Sequence, residues 1–370
     1  MLTKTHLFEA RTGGYRTYRV PGILATPRGT VLVTAEARPD GGDWGTNDLV
    51  MRRRLDGASS WGPSRVFIHH EAYGEGPVSN FVMIWDDEAQ VIHALYCHNY
   101  ASVFAMRSGD EGATFSQPRE ITGALLPFRD AYPWRVVATG PGHGIQLASG
   151  RLIVPLWMSD GSGMEFGAGK LGHRPSEVAV IYSDDHGATW EAGDFVAHTD
   201  DRIVNPSETV PVELNDGRVL LNIRSESAEN RRLVAISDDG AHDWTTPRFD
   251  PALLEPVCMG SILKLGRTEV EGRHPILFAN PDNLENELIP PGCNLAHDRK
   301  RLTVKMSLDD ARTWPVSRVL EAGPAGYSDL AELPDGTVAC VYECGMIEHM
   351  TDTRHVTVAR FDLAWLRSPP

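Results

Sequence analysis

Ser183-Asp184-Asp185-His186-Gly187-Ala188-Thr189-Trp190 decides how this chain is read. Its pattern, Ser-x-Asp-x-Gly-x-Thr-Trp, recurs closely from Ser108 to Phe115 and from Ser307 to Trp314. Degraded copies run from Ser237 to Trp244 and around Asp56 to Trp61. The copies start near residues 54, 108, 183, 237 and 307, a spacing of 54 to 75 residues. Four short strands with their loops fill such a period. Between the copies lie short runs of Val, Ile, Leu and Tyr bounded by Gly, Pro, Asn and Asp clusters, and helical periodicity is scarce. That pattern marks an all-β sandwich, barrel or propeller, and a repeat at this spacing points to a propeller or solenoid. The Ser and Asp of each turn can bond local backbone and the Trp can pack between neighbouring units. The copies therefore organise strands rather than perform chemistry.

A second repeat places the chemistry. Four stretches read as strand, tight turn, strand: Arg19 to Arg38, Gly142 to Trp157, Glu208 to Arg224 and Tyr327 to Glu343. Their turns fall at Pro27-Arg28-Gly29, Ser149-Gly150, Asn215-Asp216-Gly217 and Pro334-Asp335-Gly336. Asp-Gly between apolar runs is a strong hairpin signal. Residues equally far before and after a turn face each other, so Glu208 should face Arg224 and Tyr327 should face Glu343. Arg19 and Arg38 should likewise meet at the open end of the first hairpin. The Ser-x-Asp turns come later in each unit and belong at the opposite strand ends. The alternating segment His355 to Trp365 is expected to close the repeat by pairing with the first unit. No linker is long or polar enough to divide the chain, so residues 1–370 read as one domain. The Gly-rich stretch from Gly161 to Gly172 reads as a loop over the site, and Asn280 to Glu287 as a surface loop.

The formal net charge of -15 argues against nucleic acid or an anionic membrane as partner. Any anionic substrate must then meet a local cationic pocket. No run approaches the length of a membrane-spanning helix. The first residues, Met1 to His6, lack an apolar signal core, so a cytoplasmic location is expected unless a signal has been removed. Cys97, Cys258, Cys293, Cys340 and Cys344 are odd in number and scattered, which fits neither a disulfide framework nor a zinc site. Buried thiols in a reducing compartment are expected, with Cys340 and Cys344 on one strand face. No metal or other cofactor is called for.

The candidate site lies at the open hairpin ends. Arg19-Val20-Pro21 opens the first hairpin, with Arg38 and Asp43 beyond it. Asn205-Pro206-Ser207-Glu208 faces Arg224, Arg299 precedes another strand, and Gly326-Tyr327-Ser328-Asp329 faces Glu343. Each is unremarkable alone: a surface Arg, a cross-strand ion pair, a packed Tyr. Arg301 alternates with Arg299 and leaves open which of the two points inward. Several cations in one pocket are costly unless an anion or compensating carboxylates accompany them. Guanidinium forks suit a carboxylate ligand, which they can hold in bidentate fashion.

These residues, in this order, resemble the exo-sialidases of the bacterial and animal type, a family of six-bladed β-propellers with four antiparallel strands per blade. The resemblance spans nearly the whole chain. Arg-Val-Pro is similar to the family's Arg-Ile-Pro, and the Ser-x-Asp turns resemble its Asp boxes. Thr139-Gly140-Pro141-Gly142-His143-Gly144 and Gly326-Tyr327-Ser328-Asp329-Leu330 resemble further family segments. The resemblance implies a retaining glycoside hydrolase acting on terminal sialic acid of a sialylated glycan or free sialoside. It implies that Arg19, Arg224 and Arg299 hold the substrate carboxylate, with Glu343 orienting Arg19 and Arg38 lining the same pocket. Tyr327 would be the nucleophile, Glu208 its base and Asp43 the acid/base. Trp134 and Trp157 would line an N-acyl pocket, or simply pack the core. Pro133, Phe81 after Asn80, and Ala101-Ser102 after Asn99-Tyr100 depart from the family pattern. They leave open a Kdn- or Kdo-like acid as the preferred sugar. A non-catalytic sialic-acid-binding propeller and a transferase on the same scaffold are the other readings, and oligomeric state stays open.

Overall fold

The computed structural model describes residues 1–289 and 296–368, so Cys293 lies outside the described residues. Strands dominate. The one α-helix among the described residues, Leu363–Arg367, is a single short turn whose Asp362 cap accepts from the Trp365 amide at 2.7 Å. Two compact units emerge, one from residues 1–74 and 251–370 and one from residues 75–250. The second boundary falls inside the strand Arg248–Leu254.

The first unit holds two sheets. Thr17–Ala25, Val31–Arg38, Asp48–Arg54 and Arg65–Ile68 form a four-stranded meander. The other sheet has seven strands, Leu2–Glu9, Thr353–Phe361, Val338–Met346, Val316–Glu332, Lys300–Ser307, Ile276–Pro281 and Ser261–Lys264 in spatial order. The long strand Val316–Glu332 pairs with Lys300–Ser307 through its first half and with Val338–Met346 through its second. The C-terminal strand takes Leu2–Glu9 as its outer neighbour, from Leu2 opposite Phe361 to Glu9 opposite His355. The chain ends thus meet in the last sheet: the C-terminal strand pairs with the N-terminal strand ahead of the first repeat unit, in place of the expected pairing with that unit itself. Every residue of Val31–Arg38 is buried, the polar Thr34, Glu36 and Arg38 among them. Cys340 and Cys344 share the core side, among Leu265, Leu302, Val304 and Phe361. Cys97 and Cys258 are also buried thiols.

The second unit holds three sheets. Val78–Asp86, Val91–His98 and Ser102–Ser108 lead the first, Val136–Thr139, Leu152–Ser159, Ser176–Ser183 and Glu191–Ala197 form the second, and Thr209–Glu213, Val219–Ile223, Arg231–Ser237 and Arg248–Leu254 the third. Gly142–His143 leaves its expected hairpin and pairs in parallel with Val82–Met83.

Each Ser-x-Asp turn follows the third strand of its meander, as the spacing predicts. In the best copy Gly187 N donates to Ser183 Oγ at 2.9 Å, while Thr189 N and Oγ1 donate to the Asp185 carboxylate at 2.7 and 2.6 Å. The copies at Ser108 and Ser307 repeat these bonds.

Two further expectations are corrected. Arg38 sits opposite Thr17, and Arg19 opposite Glu36, because the turn runs from Thr26 to Thr30 and a bulge interrupts the strand between Arg19 and Gly22. Asn280 to Glu287 is not a simple surface loop. Asn280 and Asn283 are buried, their amides donating to the carbonyls of Leu254 at 2.7 Å and Asp298 at 2.9 Å. Amide side chains look solvated in sequence, yet here they satisfy interior carbonyls.

Candidate active site

Six of the eight candidate residues gather in the first unit. The bulge after Arg19 sets their geometry. Val20 has φ 51, a left-handed conformation that a β-branched residue rarely adopts. Such strain persists only where surrounding contacts over-determine it. Here Glu343 supplies them: Oε1 accepts from Val20 N at 2.9 Å and from Arg19 Nε at 3.1 Å. Its Oε2 accepts from Arg19 Nη2 at 3.2 Å and from Tyr327 N at 3.3 Å. Glu343 is fully buried, and one carboxylate thereby fixes the guanidinium, the strained backbone and the start of the Tyr327 segment. Burial opposes the charge on Arg19, but the Glu343 carboxylate more than offsets it and holds the guanidinium pKa above its ordinary value.

Two cations lie near the Tyr327 ring. The Arg19 guanidinium is 5.2 Å from its ring centroid and that of Arg299 is 5.3 Å. Arg299 is buried and Arg301 exposed, which settles which of the pair points inward. Arg299 Nη2 donates to the Val257 carbonyl at 2.7 Å. Val257 is itself left-handed, with φ 62. The two strained valines of this unit thus stand at the two arginines.

Arg38 spends most of its fork on Glu36, with Nε to Oε2 at 2.9 Å, and turns Nη1 to Asp43 at 2.6 Å. The Asp43 side chain is 35% exposed and the Arg38 side chain 3%, so the carboxylate is held at one end and open to solvent at the other. Glu36 was missed in the sequence, although Glu-x-Arg on one strand places both side chains on one face. Val257 left no signal, since it acts through its carbonyl.

The remaining two candidates pair within the second unit. Arg224 N donates to the Glu208 carbonyl at 3.0 Å and Ser207 N to the Arg224 carbonyl at 2.9 Å, so the two residues face each other as expected. Arg224 Nη1 also donates to Glu208 Oε2. A second ring of contacts supports them. Glu226 Oε2 accepts from Arg174 Nε and Asn205 Nδ2, both at 2.8 Å. Burial would raise the Glu226 pKa, but Arg174, Arg224 and Asn205 pull it below the usual carboxylate value. Arg174 follows the Gly161 to Gly172 stretch, which forms a loop between the strands Leu152–Ser159 and Ser176–Ser183 at the Glu208–Arg224 end of this unit. Trp134 and Trp157 are both buried, Trp157 against Tyr100 and His173 and Trp134 beneath Arg129, which favours packing for both.

Comparison with known proteins identifies the family of the chain. Residues 28–340 match the BNR repeat-like domain family. A sialidase from Micromonospora viridifaciens is 32% identical over 95% of this chain, which spans 52% of that protein's length. Sialidase-3 from Mus musculus is 27% identical over 92% of this chain and 90% of its own length. Among solved structures, a Hadza microbial sialidase superposes with a TM-score of 0.79 at 25% identity, covering 98% of this chain and 69% of that one. The fold is all-β, propeller-like and of sialidase type. The chain belongs to the BNR-repeat sialidase family of glycoside hydrolases.

Proposed function

We propose that the protein is a retaining exo-α-sialidase that releases a terminal sialic acid through a tyrosyl-enzyme intermediate. The observation that carries this reading is the Tyr327 ring flanked by Arg19 and Arg299, with Glu343 anchoring Arg19. A sialic acid carries a carboxylate on its anomeric carbon. A carboxylate nucleophile would be repelled there, whereas a phenol begins neutral, and sialidases are the known exception to the two-carboxylate scheme. In this reading Arg19, Arg299 and Arg224 bind the substrate carboxylate as bidentate or charge-assisted donors. Glu208 removes the phenol proton as Tyr327 attacks, so no free phenolate is required. Asp43 protonates the departing glycosidic oxygen, then deprotonates the water that cleaves the tyrosyl glycosidic bond while Glu208 returns the proton to the leaving phenol, and two inversions give net retention. The arginines also offset charge in the oxocarbenium-like transition state.

The same reading makes each four-stranded meander a blade. Splitting the seven-stranded sheet at Val316–Glu332, which would serve both halves, gives two four-stranded blades and brings the count to six.

A panel of fluorogenic α-sialosides, with Kdn- and Kdo-type analogues, tests the activity. Release of the α-anomer of free acid, followed by proton NMR, supports a retaining hydrolase. No cleavage of any member of the panel would remove the activity, and anhydro or transferred product would replace hydrolysis with transfer.

A further inference from the structure

Asp329 is a buried carboxylate that the chemistry above does not use. It stands two residues beyond Tyr327 on the strand Val316–Glu332. Its Oδ2 accepts from the backbone N of Ile23 at 3.0 Å. Its Oδ1 accepts from Ser261 Oγ at 2.9 Å and from Leu330 N at 3.0 Å. Leu330 N also reaches Ser261 Oγ at 3.1 Å, which closes a small network.

The partners belong to two different sheet edges. Thr17–Ala25 is the edge strand of the four-stranded sheet, and Ser261–Lys264 is the edge strand of the seven-stranded one. Edge backbone groups buried away from water need partners. A neutral side chain would serve that need without the desolvation cost of a buried charge. The charge instead sits where three functional segments converge. Ile23 is four residues past Arg19, Ser261 four residues past Val257, whose carbonyl holds Arg299, and Asp329 two past Tyr327.

We propose that Asp329 is a positioning residue for the catalytic cluster: one carboxylate locks the strands carrying Arg19, the Arg299 support and Tyr327 into a single register. It touches no substrate and acts through those strands. The inference rests on the reading of Arg19, Arg299 and Tyr327 as the active site. Charge-assisted bonds to both edges are stronger than neutral ones, and Asn at this position would accept from Ile23 N with its one carbonyl and reach Ser261 Oγ only by donating its amide, reversing the bond that Ser261 makes to Asp329.

The test compares Asp329→Asn with Val304→Ala, a core substitution that takes part in none of these hydrogen bonds and controls for lost stability. With a fluorogenic α-sialoside, Asp329→Asn should lower kcat/KM about tenfold or more at temperatures where the fold is intact, while Val304→Ala keeps the wild-type value. The affinity of Asp329→Asn for 2,3-dehydro-2-deoxy-N-acetylneuraminic acid, measured by calorimetry, should fall in step. Should Asp329→Asn fail to fold, Ser261→Ala cuts only the tie to Ser261–Lys264 and should raise KM severalfold at unchanged kcat. Kinetics matching Val304→Ala in both variants would overturn the inference. Amide exchange gives a readout independent of substrate: Asp329→Asn should speed exchange at Val20 N and Tyr327 N, and Val304→Ala should not. Equal exchange in the two would overturn the role of Asp329. A wild-type protein inert toward sialosides would instead sink the reading of the site and leave the exchange result decisive for Asp329.

Discussion

The two ends of the strands are built on opposite principles. At one end the Ser-x-Asp turns are self-contained: Ser183, Asp185 and Thr189 satisfy one another and their own backbone within seven residues. At the other end nothing is local. Arg19 meets Glu343 across 324 residues of sequence, Arg299 leans on Val257, and both backbones are left-handed at valine. The first end optimises local order; the second holds charge and strain that only distant contacts sustain. Self-contained local order and long-range support of charge and strain thus lie at different strand ends.

That contrast can be broken or sharpened by substitution. The largest effect belongs to Tyr327→Phe, which should lower kcat about a thousandfold or more while binding of a sialate analogue persists. Steady-state turnover and calorimetry read the two quantities, and wild-type turnover would remove Tyr327 from the reaction. Next comes Glu343→Gln. It leaves the buried Arg19 charge without its counter-charge and should cost about 3 kcal/mol in urea unfolding, with weakened carboxylate binding as well. Asp185→Ala at the other end should cost about 1 kcal/mol, because its bonds are neutral-donor and partly solvated. Its KM and kcat should stay at wild-type values; a kinetic change would show that the turns reach the chemistry.

The smallest effect is one of pH. His186, a turn residue, donates Nδ1 to Asp86 Oδ2 at 2.9 Å, and His93 Nε2 lies 3.1 Å from the same oxygen. Burial would raise the Asp86 pKa, but bonds from Ala89 N, His186, His93 and Gln146 hold it at about 2. Its contribution is therefore present above the unfolded carboxylate value and is lost as pH falls through about 2. The bond to Asp86 raises the His186 pKa. Its contribution is full below the unfolded histidine value, about 6.5, and fades as pH rises through the raised one. His186→Asn should accordingly flatten the dependence of Tm on pH from about 6.5 upward and, by removing one of the groups that hold Asp86 low, move the acid limb to higher pH.

Much of this was legible in the sequence because the governing signals are local. Asp335-Gly336 and Asp216-Gly217 set hairpin registers, and those registers put Tyr327 against Glu343 and Glu208 against Arg224. The first hairpin misled by two residues, since a bulge at Val20 carries no mark that distinguishes it from regular strand. Support through backbone was also hidden: Val257 acts by its carbonyl and Asp329 by bonds to strands far away in sequence. Leu2–Glu9 could not be assigned to the last sheet either, because pairing across the whole chain length leaves no spacing to count. Asn280 and Asn283 show the converse error, where polar composition suggested a surface that burial contradicts.

The most direct test of the active end is covalent capture. The protein is treated with a 2,3-difluorosialic acid inactivator, digested and mapped by mass spectrometry. A single glycosyl adduct on Tyr327, absent after pre-incubation with a sialate analogue, is the predicted result. An adduct on Glu208 or another carboxylate, or full turnover without any adduct, would contradict the account.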